Sequence, residues 1–338
     1  MWRHLYIISE FLFEDRWHKP TIVVAGYGWA THAFLESISH KDYNVKVVSE
    51  CDKRLNQNLM IGSLVPSYTP SVVDVIQDKC VSVDMGGKRL RGLARDYPYD
   101  YLVIATGSEA HDFGIPGVWK YCQLCKTAAD VDAIRKSTKT SAIVLGAGPT
   151  GVELACSLYR RGVRDIQVVE GMPLILPGFS DAFRAAALAN LERKGIRVLL
   201  NQSIREVSQD AIVTQMGNIL YSQNDLLVWT CGVRPVEFVR SLEPRGIVVD
   251  DQLQYAPNVF VMGDAVKNKG PPTAQNASQQ GQYLANLFNS RFVQKEPYVF
   301  REAGRCLNLG DSHLIEIYGV LCVVPHMTWQ ELTWIASI

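Results

Sequence analysis

A unit of strand, glycine turn, helix and strand occurs twice in this chain with the same spacing, and that repetition limits the fold more than any other feature. In the first copy the apolar run Ile22, Val23, Val24 and Ala25 enters Gly26-Tyr27-Gly28-Trp29-Ala30-Thr31, and a helix-like segment continues through Ile38. A second apolar run, Val45 to Val48, then ends at Ser49 and Glu50. In the second copy Ala142 to Leu145 enters Gly146-Ala147-Gly148-Pro149-Thr150-Gly151, and Ile166 to Val169 ends at Glu170. The first glycine and the terminal acid are 24 residues apart in both copies. One glycine-rich turn is weak evidence, but a matched pair predicts two βαβ units and a doubly wound α/β chain.

The residue types suit a dinucleotide. The first glycine permits a tight turn, the second lets backbone approach a pyrophosphate, and the third position packs helix against strand. The helix N-terminus then holds the phosphates. Gly26, Gly28, Trp29 and Ala30 in one copy, and Gly146, Gly148, Pro149, Thr150 and Gly151 in the other, are therefore the expected lining of two nucleotide sites. An acid at the end of the second strand accepts hydrogen bonds from the adenosine ribose and repels the extra phosphate of NADP. Glu170 thus points to NADH, and Glu50 holds the same position in the first copy. Thr31 stands where a small residue is usual, which predicts a slightly wider first turn.

Each copy closes on an apolar strand that ends in small residues and glycine. These are Tyr101 to Ile104 with Ala105-Thr106-Gly107, and Leu226 to Trp229 with Thr230-Cys231-Gly232. A further strand-like run, Asn258 to Met262, stops at Gly263 and Asp264. Its late return predicts one unit inserted in another: residues 20–112 and 246–290 as a discontinuous domain, 113–245 as the inserted one, 1–19 as an N-terminal extension and 291–338 as a short C-terminal region. Asp264 reads in two ways, as an ordinary strand-end turn or N-cap, or, in a flavoprotein, as the acceptor of a bond from the FAD ribityl chain.

Three segments carry a family resemblance: Gly26 to Trp29 with Tyr43 to Ser49, Gly146 to Ala155, and Pro271-Pro272-Thr273-Ala274-Gln275-Asn276-Ala277-Ser278-Gln279-Gln280-Gly281. Over most of residues 20 to 310 the chain resembles the two-dinucleotide-binding, pyridine nucleotide-disulfide reductase-like flavoproteins, and more narrowly the alternative, type II NADH:quinone oxidoreductases. The resemblance implies two Rossmann-like domains, FAD in the discontinuous one and NADH in the inserted one. It implies a non-proton-pumping NADH dehydrogenase that passes a hydride to FAD and two electrons on to a quinone or similar acceptor.

Gln275 and Gln279 are four apart after Pro271, Pro272 and Thr273, so they share one helix face near its N-terminus. Two solvated glutamines would be the plain reading; the resemblance instead implies that they line the quinone pocket, with Ala274 and Gln275 beside the flavin. A helix N-terminus aimed at the flavin's pyrimidine end would stabilise the charge of the reduced ring. The resemblance also places Glu153 near the nicotinamide and the flavin in an orienting role, the alternative being an acid favoured by the helix dipole. Two other functions remain open: an NADH- and FAD-binding sensor or scaffold with little turnover, and a thiol-dependent reductase.

The disulfide reductases of this architecture need a cysteine pair shortly after Glu50, and Asn56 to Pro66 contains none. Cys51 is alone. Cys122 and Cys125 form a C-x-x-C between the expected domains, read as structural or, as a minority reading, a thiol switch; without a second pair a zinc site is poorly supported. The eight scattered cysteines suggest a reducing, intracellular compartment, cytoplasmic or mitochondrial.

Lys plus Arg and Asp plus Glu balance at 34 each, which gives no global field toward nucleic acid. Ile317 to Gln330, uncharged but interrupted by Pro325 and His326, is shorter than the roughly 20 residues that span a bilayer, so no transmembrane helix is expected. The apolar tail, with Trp329, Leu332, Trp334 and Ile335, fits a peripheral membrane contact, a cover over the flavin domain or a homodimer partner equally well.

Overall fold

The computed structural model describes residues 19–55, 61, 63–64, 68–71, 73–221, 225–293 and 296–325. The expected N-terminal extension lies outside them except for Lys19, as do Trp329, Leu332, Trp334 and Ile335 of the tail. Among the described residues no helix is long and apolar enough to cross a membrane.

The chain divides into two compact units. The first takes residues up to Arg54, Pro70–Ser108 and Pro235–Arg301; the second takes Leu55–Thr69, Glu109–Arg234 and the residues from Glu302.

The first unit is built on a six-stranded sheet in the order Gln254–Ala256, Val259–Val261, Tyr101–Ile104, Thr21–Ala25, Asn44–Ser49, Val75–Gln77. Only Gln254–Ala256 runs antiparallel to its neighbour. Its inner strands are continuous apolar runs, Ile22 to Ala25 and Leu102 to Ile104, because both faces of the sheet are covered. The second unit has a five-stranded parallel sheet in the order Gln123–Leu124, Leu226–Trp229, Ser141–Leu145, Asp165–Val169, Arg197–Leu199. In both sheets the chain leaves the central strand to one side and returns on the other. That reversal opens a crevice at the carboxyl ends of the strands, the usual place for a ligand.

Residues 55–69 and 109–112 of the expected first domain join the second unit, and the limits move in three further places. The boundary expected at 245 falls at 234, because the helix Glu237–Leu242 buries Phe238 and Val239 in the first core. Residues 291–301 stay with the first unit, where the Tyr298 hydroxyl donates to Asn276 Oδ1 at 2.6 Å. The rest of the expected C-terminal region is no separate element: Arg305–Asn308, Ser312–Ile317 and Val320–Pro325 form an antiparallel meander. Its Leu307, Leu309 and Leu314 are buried with Val152, Leu154 and Ala155 of the second unit. The described part of the tail therefore covers the second unit and not the expected flavin domain, because those leucines find an apolar helix face there.

Candidate functional site

Each crevice is organised by the same backbone bonds. Gly26 N donates to Val48 O at 2.7 Å and Ala105 N to Ala25 O at 2.8 Å; in the second unit Gly146 N donates to Val169 O and Thr230 N to Leu145 O, both at 2.8 Å. The chain turns sharply at Gly26 and Gly146, whose φ of 100° and 108° excludes a side chain. A β-carbon at Gly26 would also lie 2.5 Å from Ala105 O. The helices Trp29–Ser37 and Pro149–Arg160 start from the caps Gly28 and Gly148, with no side-chain cap bond on either. A β-carbon at either cap meets nothing within 4 Å, so space is left open beside each helix N-terminus, where an anionic group can approach.

The third position differs. A β-carbon on Gly151 would lie 2.0 Å from Gly146 O and 2.8 Å from Thr230 Oγ1. In the first unit Thr31 occupies that position fully buried, and its hydroxyl donates to Gly26 O at 2.8 Å. The helix there stands off far enough to admit a threonine, in line with the wider turn expected from Thr31. Ala105 follows the neighbouring strand, at the position where the second unit has Thr230, whose hydroxyl reaches Leu145 O at 2.9 Å and Gly146 O at 3.1 Å.

Glu170 closes the second turn in a way the sequence did not suggest. Its carboxylate accepts from Ala147 N at 2.7 Å and from Met172 N at 2.9 Å, so it braces the glycine turn. A carboxylate has about four acceptor sites, which leaves capacity for ribose hydroxyls. Glu50, in contrast, is exposed at the end of Asn44–Ser49.

Around the first crevice the structure gathers Thr106, Gly107, Asp264 and the glutamine helix. The Thr106 hydroxyl is buried and finds no hydrogen-bond partner among the described residues. Ser108 donates to Asp264 Oδ2 at 2.5 Å, and Gly263 to Ala265 form a single 3-10 turn. The helix Ala274–Asn289 is capped by Thr273, which accepts from Asn276 N at 3.2 Å. It packs so closely on the first glycine helix that a β-carbon at Gly281 would sit 2.1 Å from Ala30 O.

Gln279 is committed to a local clamp, donating to Arg301 O at 2.7 Å and accepting from Arg301 N at 3.0 Å. Gln275, one turn earlier, is partly buried. The glutamine that sequence reasoning passed over is Gln280, fully buried, which accepts from Gly263 N at 2.7 Å and donates to Lys269 O at 3.0 Å. It thereby fixes the turn that carries Asp264. Its signal was available, four residues beyond Asn276 and on the same face, but polar residues on an inward face are legible only once a neighbour is known. Arg54 was also missed: its guanidinium stacks 4.0 Å from the Trp29 ring centroid beside the first turn.

Glu153 is buried within the second unit, accepting from Asn308 N of the C-terminal meander at 2.9 Å. Burial pushes its carboxyl up to about 8, with the Asn308 bond pulling the other way. Cys122 and Cys125 belong to opposite faces of the second sheet: Cys122 packs with Ile143 and Leu145, Cys125 with Val144 and Ala142. Burial raises both thiols to about 12. A thiol relay through this pair is opposed by that placement, since the two thiols pack into different cores.

Residues 20–281 match the family model described as pyridine nucleotide-disulphide oxidoreductase. The chain belongs to that family. Within it, the chain is 28% identical to a probable mitochondrial NADH-ubiquinone oxidoreductase of Schizosaccharomyces pombe, over 80% of this chain and 62% of the relative. It is 27% identical to the external alternative NADH-ubiquinone oxidoreductase of Yarrowia lipolytica, over 80% of this chain and 59% of the relative. It thus spans about three fifths of the length of these curated relatives. The solved NDH2 of Plasmodium falciparum in complex with NADH shares the fold, with a TM-score of 0.79 over 94% of this chain and 93% of that one, at 18% identity.

Proposed function

We propose that this chain is an FAD-dependent NADH dehydrogenase that passes two electrons to a quinone or similar acceptor, as the names of its relatives state for them. The observation that carries the reading is the pair of crevices with identical backbone bonds, Gly26 to Val48 and Gly146 to Val169, each beside an uncapped helix N-terminus. FAD fits the first crevice on the chain's own chemistry. Thr106 holds a buried hydroxyl there, Gly28 leaves its helix N-terminus open, and Ser108 holds the Asp264 carboxylate in place.

FAD, when bound, supplies the two-electron relay between the nicotinamide hydride and the acceptor. The protein's part is binding, orientation and electrostatics. Gly26, Gly28, Trp29 and Ala30 would receive the first pyrophosphate, with Glu50 toward the ribose; Ala105, Thr106 and Gly107 would wall the crevice, and Asp264 would accept from the ribityl chain. Gly146, Gly148, Pro149, Thr150 and Gly151 would receive NADH, with Glu170 on the adenosine ribose and Gly232 on the opposite wall. The N–H groups that open the helix at Ala274 and Gln275 would favour negative charge on a bound flavin. Gln275 and Gln279 border the acceptor pocket, Gln279 in the orientation set by the Arg301 clamp. Glu153, whose carboxyl burial pushes up to about 8, would take the orienting role with little charge.

Mitochondrial relatives support a mitochondrial site of action. Anaerobic addition of NADH to the FAD-loaded protein should bleach the flavin band, and a short-chain quinone should restore it. A flavin band that persists after NADH is added would sink the reading.

A further inference from the structure

The segment Glu109 to Gly114 lies across the carboxyl end of Leu226–Trp229 in the second unit. It is tied there at both ends: Trp229 Nε1 donates to His111 O at 2.9 Å, His111 N donates to Gly232 O at 3.3 Å, and Trp119 Nε1 donates to Asp112 Oδ2 at 2.6 Å. Within this strap Phe113 holds a left-handed backbone, φ 53°, which a bulky residue adopts only where its surroundings impose it. Its side chain does not use that strain to reach the core, for the residue remains 57% exposed. Instead the ring lies tilted against His111, centroids 4.3 Å apart and planes 43° from parallel, and its tip lies over Gly232: a β-carbon there would be 2.4 Å from Phe113 Cζ. A strained, half-exposed phenylalanine seated on the terminal glycine of a nucleotide crevice has no packing explanation.

The crevice assigns the ring a ligand group. Glu170, at the end of Asp165–Val169, marks the adenosine side of the Gly146 turn, while Gly232 follows the strand Leu226–Trp229 on the other side of Ser141–Leu145. A dinucleotide crosses the turn from one side to the other, so Gly232 lies on the side of the second base. We infer that Phe113, backed by His111, forms the aromatic wall that stacks on the nicotinamide ring and so distinguishes the complete dinucleotide from its adenosine half. This rests on the reading of the second unit as the NADH site. Phe113 acts by position: a flat face over Gly232 offers contact to a flat ring and no hydrogen bond to the ribose or phosphates.

The test compares ADP-ribose with oxidised NAD, whose flat pyridinium ring cannot donate hydride, by calorimetric titration of the FAD-loaded full chain. In Phe113→Ala the affinity for oxidised NAD should fall about ten-fold while that for ADP-ribose stays within about two-fold, and Phe113→Tyr should restore the difference. Unchanged ADP-ribose binding also shows that the crevice of the variant is folded. An equal loss for both ligands, no loss for either, or no rescue by tyrosine overturns the proposal. Failure of the unsubstituted protein to bind ADP-ribose overturns the NADH assignment itself and takes the proposal with it.

Discussion

The two glycine turns place one threonine each, on opposite walls, against the same carbonyl. In the first, Thr31 on the helix donates to Gly26 O and Ala105 stands at the strand end; in the second, Thr230 at the strand end donates to Gly146 O and Gly151 stands on the helix. The space between helix and strand end is filled once in each unit, from different directions. A departure from the glycine pattern therefore need not weaken a site when the facing residue is reduced in step. The two units also treat their buried acids in opposite ways. Burial alone would raise the Asp78 carboxyl of the first unit, but Tyr97 Oη at 2.7 Å and the N–H groups of Ala94, Lys79 and Leu93 outweigh it and hold the pKa below its ordinary value. Glu153 in the second unit has a single N–H partner, and burial prevails.

The strongest challenge to this symmetry is Gly151→Thr. Its β-carbon would meet a backbone carbonyl at 2.0 Å, so affinity for NADH should drop about 100-fold while FAD is retained, an overpacking cost near the upper end of the usual range. Adding Thr230→Ala, which reproduces the first unit's arrangement, should recover part of the loss. No recovery would show that the walls are not interchangeable.

Glu153→Gln tests the contrast between the acids. A carboxyl whose pKa is raised on folding contributes stability below its unfolded value, about 4.3, and loses it as pH rises toward the folded value, about 8. The wild type should therefore lose stability relative to Glu153→Gln between pH 5 and 8, by on the order of 4 kcal/mol, measured by denaturant titration. Parallel curves across that window would break the contrast.

Asp78 should behave with the opposite sign. Its lowered pKa gives stability that is present above the unfolded value, about 3.9, and is lost as pH falls through the folded value. Asp78→Ala should cost about 2 kcal/mol at pH 7, because the N–H groups of Leu93 and Ala94 lose a buried acceptor. That cost should shrink in acid, and a constant difference from pH 7 to pH 3 would contradict it. The smallest effect is expected for Glu170→Arg, a shift of about ten-fold in the ratio of NADH to NADPH affinity, equivalent to about 1.4 kcal/mol. Since Glu170 also braces Ala147, both cofactors should weaken somewhat, and an unchanged ratio would remove its ribose role.

Much of this protein was legible in its sequence. Continuous apolar runs into glycine at matched spacing determined the parallel strands of the two sheets, the helices behind each turn and the crevices at Gly26 and Gly146, because local backbone geometry and burial on both faces restrict such runs to few solutions. Only the tertiary structure decided what depends on distant partners. The meander Arg305–Pro325 closes on the second unit, Gln280 holds Gly263, Gln279 is clamped by Arg301, and Cys122 and Cys125 face apart. A hydrogen bond between residues far apart in the chain, or a leucine's choice among apolar faces, leaves no periodicity to read, since it is set by which surfaces remain uncovered once the sheets have formed. The same holds for the two threonines. Residue 31 alone reads as a flaw in a motif, and the bond from its hydroxyl to Gly26 O exists only in the folded turn.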